Sequence, residues 1–286
     1  MVMTYRELLK AKAAELAEQG VENSGFDCGE LLGKALMLDC RSAEFRLRLD
    51  DSADKAVSAA FEELCKRGAQ GEPLQYIIGE WEFCGLPFKV GRGVLIPRQD
   101  TETLVELAVN KYKNTDSITL IDLCTGSGCI AIALEKQLDC HRVIGVEHSQ
   151  EAAEFFSENV KLNCSSAELI TADVLDDSTP DRLPDADLIV CNPPYLTADD
   201  MAALQREVSH EPAKALYGGE DGLDFYRGVT RLWKNKLKEG GTLIYEIGAG
   251  QEDEVMGILI QHGFTQVRCR RDAAGINRCV LGIYDP

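Results

Sequence analysis

Asn192-Pro193-Pro194-Tyr195, directly after the apolar run Ile189-Val190-Cys191, is the stretch of this sequence best suited to chemistry. Two consecutive prolines fix two φ angles and remove two N–H donors, so neither a continuing strand nor a helix claims the carbonyls of Asn192 and Pro193. Those oxygens stay free to accept. The Asn192 side-chain oxygen and the Pro193 carbonyl can together hold both N–H bonds of a planar amide or amine, turning its lone pair toward an electrophilic carbon. Such orientation suits transfer of a methyl group to a nitrogen whose lone pair is delocalised. Tyr195 would lie against the planar group. Read without chemistry, the same residues merely end a strand.

A second stretch, Leu120-Ile121-Asp122-Leu123-Cys124-Thr125-Gly126-Ser127-Gly128-Cys129, reads as a buried strand that breaks into a glycine turn and opens a helix. In a doubly wound sheet this places a ligand beside the strand's carboxyl end. Gly126, Gly128 and Ala131 satisfy the relaxed dinucleotide fingerprint. Glu147 follows roughly 20 positions on, where a carboxylate takes ribose hydroxyls. The loop alone suits any adenosyl ribose ligand. Two residues favour S-adenosylmethionine over NAD. Asp122 can organise the turn or meet a cationic ligand by way of water, and is poorly placed beside a pyrophosphate. Asp173 can accept from an exocyclic adenine amine while Val174 packs on the ring; otherwise Asp173 is a helix cap or a solvated turn residue.

Competing chemistry is absent from the pattern. The four His are scattered, without a Ser-His-Asp or His-x-x-x-His arrangement, and no metal-ligand spacing is present. Eleven Cys lie in apolar segments without a Cys-x-x-Cys pair, as expected of buried free thiols in a reducing compartment. Cys124 and Cys191 have no neighbouring His or Lys and read as packing residues.

These residues need a scaffold, and the chain is long enough to build one. Its 286 residues suggest about two domains. With 45% apolar and 27% charged residues it can bury a full core. Tyr5, Leu9, Ala13 and Leu16 recur at helical spacing up to Gly20, Phe26 to Leu38 repeats the habit, and Ser52 to Ala69 makes a third helix. Residues 1–72 are thus expected to form a helical bundle, and 73–98, with short apolar runs punctuated by Gly and Pro, a β-hairpin linker. From 99 to 286 strands alternate with helices: 118–123, 143–147, 169–172, 187–191 and 242–247 read as strands, with two more near Val267 and Val280. A helix opens at Gly128, others span 149–163 and 251–262, and a long one ends near Lys238. This alternation means a mostly parallel sheet covered on both faces. The net charge of −18 argues against a partner held through phosphates, so no direct nucleic-acid binding is expected. Neither a signal-peptide pattern nor an apolar run of membrane-spanning length is found, and the expected location is the cytoplasm.

Taken together, these residues resemble the HemK/PrmC protein-(glutamine-N5) methyltransferases, which modify class I peptide chain release factors. The resemblance covers nearly the whole chain and rests on Gly71-Glu72-Pro73-Leu74-Gln75-Tyr76-Ile77-Ile78-Gly79, Leu95-Ile96-Pro97-Arg98-Gln99-Asp100-Thr101-Glu102, Asp122 to Gly128, and Asn192 to Tyr195. It implies an α/β fold with a Rossmann-like class I methyltransferase sheet, mostly parallel with an antiparallel last strand, behind a small helical bundle that selects the substrate. It implies S-adenosylmethionine at Cys124, Thr125, Gly126, Ser127, Gly128, Glu147, Asp173, Val174 and Asn192. It also implies that the glutamine of a Gly-Gly-Gln motif is held at Asn192, Pro193, Pro194 and Tyr195. Arg98, Thr101 and Glu102 match a segment bordering the cofactor pocket. A monomer is expected. Three positions depart from the pattern. Cys124 replaces the usual first glycine, tolerable if the backbone there is not left-handed. Gln99 replaces a proline, and Glu147 a frequent aspartate. Glutamine methyltransferases of a ribosomal protein share the loop and the tetrapeptide, but Asp100-Thr101-Glu102 looks more like the release-factor enzymes. DNA adenine N6-methyltransferases use similar tetrapeptides but need a basic cleft. A noncatalytic binding module is disfavoured by the presence of Asn192, Pro193, Tyr195 and Glu147.

Overall fold

The first helix opens on a reciprocal cap. In the computed structural model, which describes residues 3–285, the Thr4 hydroxyl accepts from the Glu7 backbone N–H at 3.3 Å, and the Glu7 carboxylate accepts from the Thr4 N–H at 2.8 Å. Two donors left open by a helix start are satisfied at once. Helices α1 (Tyr5–Glu18), α2 (Ser24–Leu36), α3 (Ala43–Arg48), α4 (Lys55–Ala69) and α5 (Leu74–Ile78) follow. They bury one core around Cys28, Leu31, Leu32 and Phe61. This unit runs to Glu80 and also takes in the distant stretch Gln205–His210. Gly71 makes room for that stretch: at φ +85°, a Cβ there would come within 2.5 Å of the Arg206 Nε.

The expected hairpin linker over 73–98 is corrected at both ends. Pro73 and the left-handed Gly79 (φ 79°) bracket Leu74–Ile78 as a helical turn of the first unit. The hairpin itself is β1 (Glu80–Phe83) and β2 (Leu86–Lys89), joined by Cys84 and Gly85 with φ of 50° and 75°. Positive φ at both turn residues matches the twist of the flanking strands. From Trp81 on, the hairpin belongs to the second unit. Phe83 and Phe88 enter that unit's core, so it is a packed element and not a free tether.

The second unit continues with α6 (Glu102–Tyr112), β3 (Ile118–Leu123), α7 (Cys129–Gln137), β4 (Cys140–Glu147), α8 (Gln150–Leu162), β5 (Glu168–Thr171) and β6 (Ala186–Cys191). It ends with α9 (Ala198–Ala202), α10 (Asp224–Trp233), β7 (Leu237–Glu246), α11 (Glu252–Gln261), β8 (Phe264–Arg271) and β9 (Asn277–Tyr284). The sheet order is β5-β4-β3-β6-β7-β9-β8, parallel through β7, with β9 antiparallel to both neighbours. Alternate residues feed opposite faces. Leu120, Leu188 and Ile244 enter one core, and Ile121, Ile189 and Tyr245 the other. With both faces covered, β3 is buried at every position, hence its unbroken apolar run apart from Thr119 and Asp122. The long helix expected to end near Lys238 instead stops at Trp233, and β7 already pairs at Leu237. Between Leu237 and Thr242 the ladder skips, with Gly240 at φ 75°. No helix among the described residues is long and apolar enough to cross a membrane.

Candidate active site

The carboxyl ends of β3, β4 and β6 converge on one cleft of about 950 Å³, at the point where the strand order turns in opposite directions from β3. After Leu123 the chain leaves the sheet through three residues with positive φ, Cys124 (57°), Gly126 (54°) and Gly128 (81°). Asp122 holds this turn from below. Its Oδ2 accepts from the Thr125 hydroxyl at 2.6 Å and the Ala131 N–H at 3.1 Å. The carboxyl is completely buried and its Oδ1 has no partner among the described residues; burial pushes it up to about 7, against the pull of those two hydrogen bonds. Asp122 therefore organises the loop and does not line the cleft. Gly128 is required twice over, since a Cβ there would sit 2.7 Å from Phe156 Cδ2. Cys124 does not meet the condition set for it: the backbone there is left-handed. The strand has to turn out of the sheet at that residue, at a cost of about 1 kcal/mol for a side chain with a Cβ.

Glu147, the last residue of β4, ties two loops together. Its Oε1 accepts from the N–H groups of His148 (2.9 Å) and Ser149 (2.7 Å), and its Oε2 from that of Gly126 (2.9 Å). An oxygen offers two lone pairs, so Oε2 keeps one unclaimed among the described residues. Asp173 is exposed, and its Oδ1 accepts from the Leu175 N–H at 2.8 Å, which makes it a turn residue as well as part of the cleft wall. Val174 is buried, and its carbonyl accepts from the Trp233 indole N–H at 2.9 Å.

Asn192 is half-buried at the end of β6. Its Nδ2 donates to the Thr101 hydroxyl oxygen at 3.4 Å. Among the described residues no hydrogen bond ends on the Asn192 Oδ1 or the Pro193 carbonyl. Asn192 and Pro194 line the cleft with Cys124, Thr125, Gly126, Ser127, Glu147, Asp173 and Val174; Gly128, Pro193 and Tyr195 lie behind that wall. Tyr195 is held through its backbone and packs on the core. Its N–H donates to the Leu216 carbonyl, its own carbonyl accepts from the Gln251 side chain at 3.1 Å, and its ring packs into the core beside Gly248. Burial first, then the charge of Glu246, pushes its phenol up to about 12.

Sequence reasoning did not find two further groups. Glu211, almost fully buried, accepts from the Ile96 N–H at 3.0 Å and pairs with Arg98, which fixes the start of the segment that closes the cleft through Pro212 and Ala213. Glu246, at the end of β7, is almost fully buried, and burial pushes its carboxyl up to about 7. Glu211 meets Arg98 from far along the chain, and no local pattern announces either buried carboxyl.

Similar proteins place this geometry in a family. Residues 7–79 match the PrmC N-terminal domain and residues 99–220 the methyltransferase small domain. A release factor glutamine methyltransferase of Geobacter sulfurreducens is 41% identical over 98% of this chain and 97% of its own. One from Vibrio cholerae is 36% identical over 99% and 98%. A methyltransferase of known structure from Pyrococcus furiosus, 16% identical with a TM-score of 0.52 over 71% of this chain and 90% of its own, shares the fold. The chain is a member of the release factor glutamine methyltransferase family.

Proposed function

We propose that this protein transfers a methyl group from S-adenosylmethionine to the side-chain amide nitrogen of a glutamine, that of the Gly-Gly-Gln motif in a class I release factor. The observation that carries the reading is the unclaimed acceptor Asn192 Oδ1 beside a glycine loop in one cleft, with the unclaimed Pro193 carbonyl next to it in the chain. The residues present fit the methyl donor. Glu147 Oε2 has a lone pair for a ribose hydroxyl, Asp173 a carboxylate oxygen for an amine, and Val174 an apolar surface for a ring. The cleft volume is within the range of sites for ligands of that size. When bound, S-adenosylmethionine supplies a methyl group activated by a sulfonium.

The chain's part is orientation. Asn192 Oδ1 and the Pro193 carbonyl take the two amide N–H bonds and leave the lone pair in line with the incoming carbon. As the carbon–nitrogen bond forms and the carbon–sulfur bond breaks, positive charge grows on the nitrogen and its N–H bonds become stronger donors. Both acceptors therefore bind the transition state better than the ground state. The proton leaves afterwards to solvent, when the nitrogen has become acidic. Tyr195, with its phenol near 12, is not a base at neutral pH.

The test is purified protein with labelled S-adenosylmethionine and a recombinant release factor, followed by peptide mapping. Label on the Gly-Gly-Gln glutamine is expected. Label found only on a ribosomal protein, or on adenine in DNA, rejects the substrate.

A further inference from the structure

Resting on the methyl-transfer reading above, we propose that Glu211 is a positioning residue for this reaction: it anchors the strap 212–218, and the strap fixes the backbone that carries Asn192 and Pro193. Two consecutive prolines leave residues 192–194 with a single backbone N–H, that of Asn192, so no ladder of their own can hold them. They hang between two fixed points. On one side Cys191 is seated in the sheet between Leu123 and Tyr245. On the other, the next two N–H groups in the chain, those of Tyr195 and Leu196, both donate to the Leu216 carbonyl, at 3.1 and 2.8 Å. The Leu196 carbonyl in turn accepts from the Gly218 N–H at 2.9 Å. The strap lies so close here that it leaves no space for a side chain: a Cβ on Gly218 would come within 2.6 Å of the Pro194 carbonyl oxygen. Where the strap sits therefore decides where the proposed acceptors point.

Glu211 holds the far end of that strap. Its side chain is 1% exposed and does not line the cleft. One carboxylate oxygen accepts from the Ile96 N–H at 3.0 Å, and the other from the Arg98 guanidinium. A single buried carboxylate thus ties the start of the strap to 96–98, and both segments line the cleft. Between its two ends the strap folds on itself. The Ala215 N–H donates to the Pro212 carbonyl at 2.9 Å, and the Leu216 and Tyr217 N–H groups to the Ala213 carbonyl at 3.1 and 2.9 Å. A segment so short and so closed passes a displacement at Glu211 on to Leu216. Removing the carboxylate leaves the Ile96 N–H and the Arg98 charge without their partner, which favours that displacement. A misplacement of the reacting groups by about 1 Å costs on the order of 10² in rate.

Two measurements test this. In turnover, Glu211→Ala should lower kcat at least about tenfold while KM and S-adenosylhomocysteine affinity stay within about threefold. Glu211→Gln keeps an oxygen for the Ile96 N–H and should fall between Ala and the wild type. Gly218→Ala, with Glu211 intact, pushes the other end of the strap and should show the same loss of kcat. Amide hydrogen exchange reads the anchoring without turnover. The Tyr195 and Leu196 N–H groups should exchange at least about tenfold faster in both Glu211 variants, while those of Ile189 and Val190 in β6 keep their protection. Should Glu211→Ala fail to fold, Glu211→Gln carries both comparisons. Wild-type kcat in the Glu211 variants, unchanged exchange at Tyr195 and Leu196, or an equal loss of protection in β6 overturns the positioning role. Weaker S-adenosylhomocysteine binding with unchanged kcat also overturns it, since Glu211 then braces only the cofactor cleft. A wild-type protein that methylates no release factor refutes the substrate reading instead, and the exchange then decides the anchoring alone.

Discussion

Asn192 concentrates the proposed chemistry in one side-chain oxygen, so its replacements separate orientation from folding. Asn192→Ala should lower turnover by about 10²–10³ while S-adenosylhomocysteine still binds, because one amide hydrogen loses its acceptor. Asn192→Asp keeps an acceptor of the same length and adds a charge near the sulfonium, which favours the ground state more than the transition state. Residual activity well above that of Ala is expected. Single-turnover rates with calorimetry on the same samples decide it, and an Ala variant at wild-type rate would reduce Asn192 to a strand end. Glu147 acts differently, since three backbone N–H groups already hold its carboxylate. Glu147→Ala should weaken S-adenosylhomocysteine by ~1.5–3 kcal/mol through the lost ribose contact. An unchanged dissociation constant would leave Glu147 with only its loop-bracing role.

Among the elements, what could be read from the sequence is what lies contiguous in it. β3, its loop and α7 form one run, and β6 leads straight into Asn192, so the two halves of the cleft were legible from periodicity and turn residues. Helix α3 has too few residues to show a period. The pairing of Glu211 with Arg98 joins residues 113 positions apart, and no local pattern in the sequence carries a trace of it. The aromatic character of Tyr195 does not show that Leu216 and Gln251 hold its backbone or that its ring packs on the core. The loop also offers a paired test of why its glycines are there. Gly126→Ala meets only Val94 at 3.9 Å and should cost about 1 kcal/mol of backbone strain. Gly128→Ala meets Phe156 at 2.7 Å as well and should cost roughly 2–4 kcal/mol and displace α8, with loss of cofactor binding. Urea melts that rank the two equally would mean the loop relaxes freely.

For the molecule as a whole, two buried carboxyls set an unusual pH dependence. Asp122 and Glu246 both rise to about 7 in the folded protein, above their values in an unfolded chain. Their contributions to stability are complete below the unfolded values and are lost as pH rises through about 7. Glu246→Gln should therefore gain on the wild type between pH 5 and pH 8, by up to about 3 kcal/mol in chemical denaturation. A gap that does not widen with pH would mean Glu246 is solvated in the folded state. The two units have separate cores, which is the condition for folding apart. Removal of the chain through Glu80 should spare S-adenosylhomocysteine binding and abolish turnover of an intact release factor; turnover at the original rate would give the helices another purpose. The chain carries two tryptophans, and the place of one makes the protein its own optical gauge. Trp233 is fully buried with its indole N–H on the carbonyl of Val174, whose side chain lines the cleft, while Trp81 packs beside Val90 and Val94. In Trp81→Phe the remaining emission comes from Trp233 alone, and a ring seated on Val174 alters the field at that indole, so an unlabelled ligand can be titrated by fluorescence.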